Sequence, residues 1–323
     1  MEKCLMDDKV ILLTGGSGFL GRQIIDEAKK KKYKIFAPRS KELNIEKRDG
    51  ISIYFNKLLK KNIKIDYIIH SAAYYGGIGF NQKYPIGLVA KNCRMALNIF
   101  EACKLLKPRK IISVGSACSY PGHLSNNLRE MELFNGRCHE SVEPYGFSKR
   151  LHLVLQAAYY KELKILSNQI ILTNLYGEHD VFHEERSHAL PTLIKKVVEA
   201  KLFDRKVVAW GDGTPIREFL YVKDAAKVIV ESINFEHDLD PVNISGQEIS
   251  IKDLINLICK IVGYDQNLVQ WDKTKPNGTM RKVLDSTKLD KIMSDFKRID
   301  FSVGLKHTVD WYMKNKEEAD KRN

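Results

Sequence analysis

The chain has 323 residues, enough to bury a full core and to form one large domain or two interlocked ones. Hydrophobic residues make up 44% and charged residues 29%, no apolar run reaches the span of a membrane helix, and the N-terminus lacks a signal-peptide pattern, so a cytoplasmic protein is expected. The formal net charge of +13 comes from dispersed lysines without interleaved aromatic residues, which argues against nucleic acid and suits an anionic small substrate. Six cysteines (Cys4, Cys93, Cys103, Cys118, Cys138, Cys259) form no Cys-x-x-Cys pair. Free thiols are therefore expected, with no zinc site and no disulfide framework.

In chain order, Val10 to Thr14 reads as an apolar strand running into Gly15-Gly16-Ser17-Gly18-Phe19-Leu20-Gly21 and then a helical pattern through Ile24, Ile25 and Ala28. Glycines at 15, 18 and 21, in the order strand, turn, helix, let backbone amides at a helix N-terminus approach a pyrophosphate. The second strand, Lys34 to Ala37, ends in Pro38-Arg39-Ser40-Lys41. An acidic residue near this place holds the ribose hydroxyls of NAD, whereas a cation suits a 2'-phosphate, so Arg39 with Ser40, Lys41 and Arg22 favours NADPH. The third strand, Tyr67 to His70, leads into Ser71-Ala72-Ala73, small residues that let a cofactor lie against the strand ends. A long helix is expected from about Leu88 to Leu106, with Asn92, Ala96 and Ile99 on one side. The fourth strand, Lys110 to Val114, then delivers Ser116.

A helix from Tyr145 to Glu162 opens with Tyr145-Gly146-Phe147-Ser148-Lys149. A tyrosine and a lysine four apart share one helix face, so the ammonium sits near the phenol and pulls its pKa toward the working range of a proton donor. Taken alone, the spacing is common and fits two exposed helix residues better; the remaining chain, with the glycine loop and Ser116, turns the reading toward chemistry. The same helix is apolar around most of its circumference, through Leu151, Leu153, Val154, Leu155, Ala157 and Ala158, which fits one face on a sheet and another on a partner subunit.

Strands alternating with helices of this length imply an α/β fold, a doubly wound parallel Rossmann sheet with ligands outside the carboxyl ends of its strands. Residues 1–176 plus 218–247 are assigned to this sheet domain, with Asp224 starting a helix before a strand from Val242 to Ser245. Residues 177–217 plus 248–323 are assigned to a smaller C-terminal substrate domain closing over the strand ends.

Assembled in this way, the chain resembles the GDP-L-fucose synthase family, a branch of the extended short-chain dehydrogenases/reductases. The likeness runs through Ala73-Tyr74-Tyr75-Gly76-Gly77-Ile78, Gly115-Ser116-Ala117-Cys118-Ser119-Tyr120-Pro121, Thr173-Asn174-Leu175-Tyr176-Gly177 and Ser187-His188-Ala189-Leu190-Pro191. It continues in Trp210-Gly211, Arg217-Glu218-Phe219, Lys275-Pro276-Asn277-Gly278-Thr279 and Arg281-Lys282.

The resemblance implies that Ser116 and Tyr145 hydrogen-bond a C4 ketone, that Lys149 holds the nicotinamide ribose and lowers the tyrosine pKa, and that hydride from NADPH reaches C4 as Tyr145 gives its proton. It implies that Cys118 and His188 are the acid-base pair for epimerisation at C3 and C5, with His188 also beside the cofactor. It places Gly15, Gly18, Phe19, Leu20, Gly21, Arg39, Ser40 and Ala72 on NADPH. Asn174, Trp210, Arg217 and Lys275 fall to the GDP-linked 4-keto-6-deoxy sugar, Trp210 beside the guanine and Arg217 and Lys275 at the diphosphate or its sugars. A homodimer without a metal is implied as well.

The family's second serine is Ala117 here, its Tyr-Ala-Ile-Ala-Lys is Tyr145-Gly146-Phe147-Ser148-Lys149, its Pro-Thr-Asn is Leu172-Thr173-Asn174, and its Gly-Pro-x-Asp-Asn is Gly177-Glu178-His179-Asp180-Val181. These departures flank the sugar pocket and leave open a C4 reductase without epimerase activity, acting on a GDP-4-keto-6-deoxy-heptose. From other classes, an NAD-retaining nucleotide-sugar 4-epimerase is opposed by Arg39 and by the Cys118/His188 pair. A silent NADP-binding sensor is opposed by the intact Ser116, Tyr145 and Lys149.

Overall fold

A computed structural model describes residues 9–124, 127–183, 186–274 and 281–322. The first half runs β1 (Val10–Thr14), α1 (Phe19–Lys30), β2 (Lys34–Phe36), α2 (Arg48–Lys60), β3 (Tyr67–His70), α3 (Ile78–Lys83), α4 (Pro85–Leu106), β4 (Lys110–Ser116), β5 (Asn127–Leu128), α5 (Glu143–Leu163) and β6 (Leu166–Leu172). The second half runs β7 (Asn174–Tyr176), α6 (Ala189–Leu202), β8 (Val207–Trp210), β9 (Ile216–Tyr221), α7 (Val222–Glu231), β10 (Val242–Ile244), β11 (Gln247–Ser250), α8 (Ile251–Val262), β12 (Val269–Asp272), β13 (Val283–Leu284), α9 (Thr287–Ile292), α10 (Phe301–Lys314) and α11 (Lys316–Lys321).

Six strands form one sheet in the order β10-β6-β4-β3-β1-β2, and every pairing in it is parallel. Because both faces are covered, its strands are largely buried and mostly apolar, as in the Ile11-Leu12-Leu13 run of β1 and Ile68-Ile69 of β3, with buried polar residues such as Asn168 and Gln169 in β6. Their side chains alternate between two cores: Ile11, Leu13 and Ile69 meet α1 and α7 on one face, while Leu12 and Ile68 meet α2 and α4 on the other. The order reverses between β1 and β3, since the chain leaves β1 toward β2 and later returns on the far side to continue through β4 and β6. Helix α4 starts at Pro85, three residues before the expected Leu88, and buries Asn92, Ala96 and Ile99 as anticipated. Asp224 lies in the first turn of α7.

A separate core is built from α6, α8, α10 and the flanking strands, around Phe182, Val197, Phe219, Ile258 and Tyr312. Short sheets accompany it, β11-β9-β7 and β12-β8. This layer stands beside the carboxyl ends of the parallel strands, where β6 passes into β7 and β9 pairs with β7. Among the described residues, no helix is long and apolar enough to cross a membrane, and no cluster of His, Cys, Asp or Glu has the makings of a metal site. The five described cysteines are free thiols.

Candidate active site

Where the strand order reverses, the carboxyl ends of β1 and β3 diverge and open a crevice, the place where doubly wound sheets take their ligands. Thr14 Oγ1 is bonded to His70 Nδ1 at 2.7 Å and accepts the amide of Ala72 at 3.3 Å, tying the two strand ends together at its floor. Burial beneath the sheet, with the charge of Lys149 nearby, pushes His70 down to about 3, so it is a neutral strut. The crevice opens into a cleft of about 650 Å³. Gly15, Gly18, Phe19, Leu20, Gly21, Ser40, Ala72, Ser116, Cys118, Tyr145, Lys149, Asn174, His188 and Arg217 all line it.

The glycine loop is packed against itself. A Cβ on Gly21 would stand 2.1 Å from the Gly15 carbonyl oxygen, so the first turn of α1 can close on the loop only without a side chain there. Gly18, the N-cap of α1, makes no side-chain cap, which leaves the helix N-terminus turned to the cleft.

The proton-handling groups meet through local backbone chemistry. Ser116 ends β4 and its Oγ accepts the Cys118 amide at 3.2 Å, capping a short 3-10 turn, Ala117–Ser119, that swings Cys118 into the cleft. Helix α5 passes so close to this turn that a Cβ on Gly146 would lie 2.2 Å from the Cys118 carbonyl oxygen. Glycine at 146 therefore sets Tyr145 beside Cys118. Ser148 Oγ donates to the Tyr145 carbonyl at 2.7 Å, and Phe147 points outward, 56% exposed. Two of the departures in Tyr145-Gly146-Phe147-Ser148-Lys149 thus have a structural account.

Lys149 is 2% exposed; its Nζ donates to the Val114 carbonyl at 3.0 Å and stands 5.7 Å from the Tyr145 ring centre. Burial pushes the lysine down to about 8. The expected lowering of the tyrosine is not what the fold produces. Tyr145 is half-buried in the cleft wall, where burial raises its phenol above the ordinary range and Cys118 and Tyr75 nearby add to the rise. The ammonium is engaged by a carbonyl and does not offset this. Tyr145 thus carries its proton at neutral pH, the form from which a developing alkoxide can take one.

His188 is the N-cap residue of α6, its backbone carbonyl accepting from Thr192 Oγ1 at 2.8 Å. Burial lowers its pKa, so it faces the cleft as a neutral imidazole. Asn174 opens β7 and donates to the Glu218 carbonyl at 2.9 Å, and burial lowers Arg217 at the start of β9. Two predicted positions, Arg39 and Trp210, stand apart from the cleft lining. Arg39 is exposed past the end of β2, its amide donating to Glu42 at 2.8 Å. Trp210 ends β8 and is 63% exposed, with Lys196 Nζ 5.9 Å from its ring centre. Lys275 lies outside the described residues.

Some cleft residues carried no individual sequence signal. Asp180 is 2% exposed and lines the cleft; its Oδ1 accepts the Val181 amide at 2.7 Å, its Oδ2 is buried with no hydrogen-bond partner among the described residues, and burial pushes the acid up to about 8. Tyr75 and Lys282 line the cleft too, and both fall within the motifs that carried the resemblance.

Comparison with known proteins agrees with this geometry. The model of the NAD dependent epimerase/dehydratase family matches residues 11–245. The chain belongs to that family. Within it, GDP-L-colitose synthase of Yersinia pseudotuberculosis is 34% identical over 95% of this chain and 98% of its own length. GDP-L-fucose synthase 1 of Arabidopsis thaliana is 33% identical over 97% of both chains. The solved structure of a GDP-L-fucose synthetase from Naegleria fowleri bound to NADP superposes with a TM-score of 0.88, at 29% identity, over 98% of this chain and 96% of that one. The resemblance read from the motifs holds, and so does the doubly wound fold of the epimerase/dehydratase family.

Proposed function

We propose that this chain is an NADPH-dependent reductase of the C4 ketone of a GDP-4-keto-6-deoxy sugar and that it also epimerises C3 and C5. The observation that carries the reading is the meeting of Ser116, Tyr145 and Lys149 with Cys118 and His188 in one cleft beside a glycine loop. Relatives named for GDP-L-fucose and GDP-L-colitose, and a structural neighbour bound to NADP, support the substrate class and the cofactor.

The residues present fit a dinucleotide: the side-chain-free loop and the open N-terminus of α1 suit its diphosphate, and Ala72 leaves room along the strand ends. Arg39 and Ser40, past the end of β2, are the groups assigned to a 2'-phosphate. NADPH, when bound, supplies hydride to the C4 carbon. Tyr145 gives its proton to the C4 oxygen as negative charge grows there, Ser116 donates a second hydrogen bond, and Lys149 steadies the tyrosine and a ribose hydroxyl. Before reduction, the ketone acidifies the protons at C3 and C5. Cys118 and His188 remove a proton from one face and return one to the other, while Ser116 and Tyr145 hold the enolate oxygen. Neutral His188 suits the accepting half of that exchange. Asn174, Arg217 and Trp210, together with Lys275, are assigned to the GDP-sugar.

In this reading residues 1–176 plus 218–247 bind the dinucleotide, and 177–217 plus 248–323 bind the nucleotide sugar. The protein acts in the cytoplasm as a homodimer, joined through the outward apolar side of α5, where Phe147 and Val154 are each 56% exposed. The test is turnover of GDP-4-keto-6-deoxy-mannose with NADPH in deuterium oxide, read by NMR. Reduction at C4 with deuterium at C3 and C5 is expected. Reduction without deuterium at either carbon leaves a C4 reductase, with the heptose analogue as the next substrate to try.

A further inference from the structure

Two loops from different parts of the chain are latched together at the His188 side of the cleft. Arg186 Nη2 donates to the Tyr75 carbonyl at 3.1 Å, and its guanidinium lies 5.9 Å from the Tyr75 ring centre. Two residues on, a Cβ at Gly77 would stand 2.6 Å from the Ser187 carbonyl oxygen, so the loops meet backbone to backbone. Asn81 Nδ2 donates to the Gly76 and Gly77 carbonyls at 2.9 and 3.0 Å and fixes the first loop from below. Across this latch the Tyr75 and His188 rings lie nearly parallel, 10° apart, with centres separated by 6.1 Å.

The His188 backbone is held by Thr192, but among the described residues no hydrogen bond fixes its ring. The torsion that turns an imidazole is broad and nearly two-fold, so an unheld ring would not keep one nitrogen aimed at a carbon acid. A parallel aromatic contact within 4.5–7 Å narrows that torsion and keeps water from one ring face.

We propose that Tyr75 is a positioning residue for His188, its ring fixing the imidazole plane for proton transfer at the sugar. This rests on the epimerase reading of the site. The aromatic ring is the operative part, so a phenylalanine should serve and an aliphatic side chain of similar bulk should not.

The test compares Tyr75→Phe and Tyr75→Leu with the unsubstituted protein in deuterium oxide, with NADPH and GDP-4-keto-6-deoxy-mannose, reading deuterium at C3 and C5 relative to reduction at C4. The phenylalanine variant should keep that ratio, and the leucine variant should lose about two- to tenfold, the worth of one aromatic pair. NMR titration of the histidine ring protons, with His188 assigned by its loss in His188→Asn, should show the His188 midpoint rising toward the ordinary value in Tyr75→Leu and staying put in Tyr75→Phe. An unchanged ratio and an unchanged midpoint in Tyr75→Leu would overturn the proposal, as would an equal loss in Tyr75→Phe. If the unsubstituted protein reduces without exchanging deuterium, the epimerase reading fails separately. The titration then decides alone whether Tyr75 holds the ring.

Discussion

Replacing Lys149 with methionine should make the cofactor-free protein more stable at neutral pH while abolishing its turnover. Lys149 is buried, and its folded pKa is about 8 against an ordinary 10.5. At pH 7 the fold carries a charged group that it would hold more easily neutral. About 2.5 pKa units at 1.36 kcal/mol each is about 3 kcal/mol. Losing the hydrogen bond to the Val114 carbonyl offsets about 1 kcal/mol of that, leaving a net gain of about 2 kcal/mol, or roughly 3 °C in melting temperature. The sign follows from the depressed pKa of a base. The wild-type cost is full below pH 8 and all but disappears as pH rises through 10.5, while the lost hydrogen bond still counts, so the advantage of Lys149→Met should vanish there and turn into a deficit of up to about 1 kcal/mol. Thermal melts of both proteins at pH 7 and pH 10.5, with NADPH consumption measured at pH 7, make the comparison. A variant that melts below wild type at pH 7, or an advantage that persists unchanged at pH 10.5, would refute the reasoning. Confirmation would show a lysine retained for chemistry at the expense of the fold.

Tyr145→Phe removes the proton donor and should lower C4 reduction about 10²–10⁴-fold while leaving NADPH affinity within about twofold; titration of NADPH fluorescence beside turnover separates the two. Gly21→Ala drives a methyl group into the Gly15 carbonyl oxygen, 2.1 Å away, and should weaken NADPH binding at least about tenfold, whereas Gly79→Ala, with open space at its Cβ, should not. Asp180, a buried acid pushed up to about 8, stabilises the fold most below the unfolded acid's ordinary 3.8, and that stability is lost as pH rises toward 8. Asp180→Asn should therefore lose less stability than wild type between pH 5 and pH 8.5, by an amount on the order of several kcal/mol in paired urea melts.

The elements that place the site were legible because their signals are local. β1 and β3 have the expected ends, and β4 delivers Ser116 as expected, since short apolar runs closed by glycine or small residues leave little choice of boundary. The pairing of Tyr145 with Lys149 also follows from helix spacing. Their electrostatics did not, because a pKa depends on what encloses the group, and the Val114 carbonyl that engages the ammonium belongs to a strand 35 residues earlier. Gly146 could be seen as a departure but not as a requirement until the Cys118 turn was placed against α5. Asp180 and Tyr75 become site residues only when the segment after β7 and the segment after β3 fold onto the same cleft. Trp210, which the resemblance places beside the guanine, is 63% exposed at the end of β8 beside Lys196 and is not part of the cleft lining.

The most direct test of the central claim follows the hydride itself. NADPH deuterated at the transferable position of its nicotinamide, incubated with the protein and GDP-4-keto-6-deoxy-mannose in ordinary water, should deliver deuterium to C4 of the sugar and nowhere else. Tyr145→Phe should stop that delivery. Consumption of the labelled cofactor with no deuterium at C4, or a sugar epimerised at C4 with the cofactor unconsumed, would contradict the account.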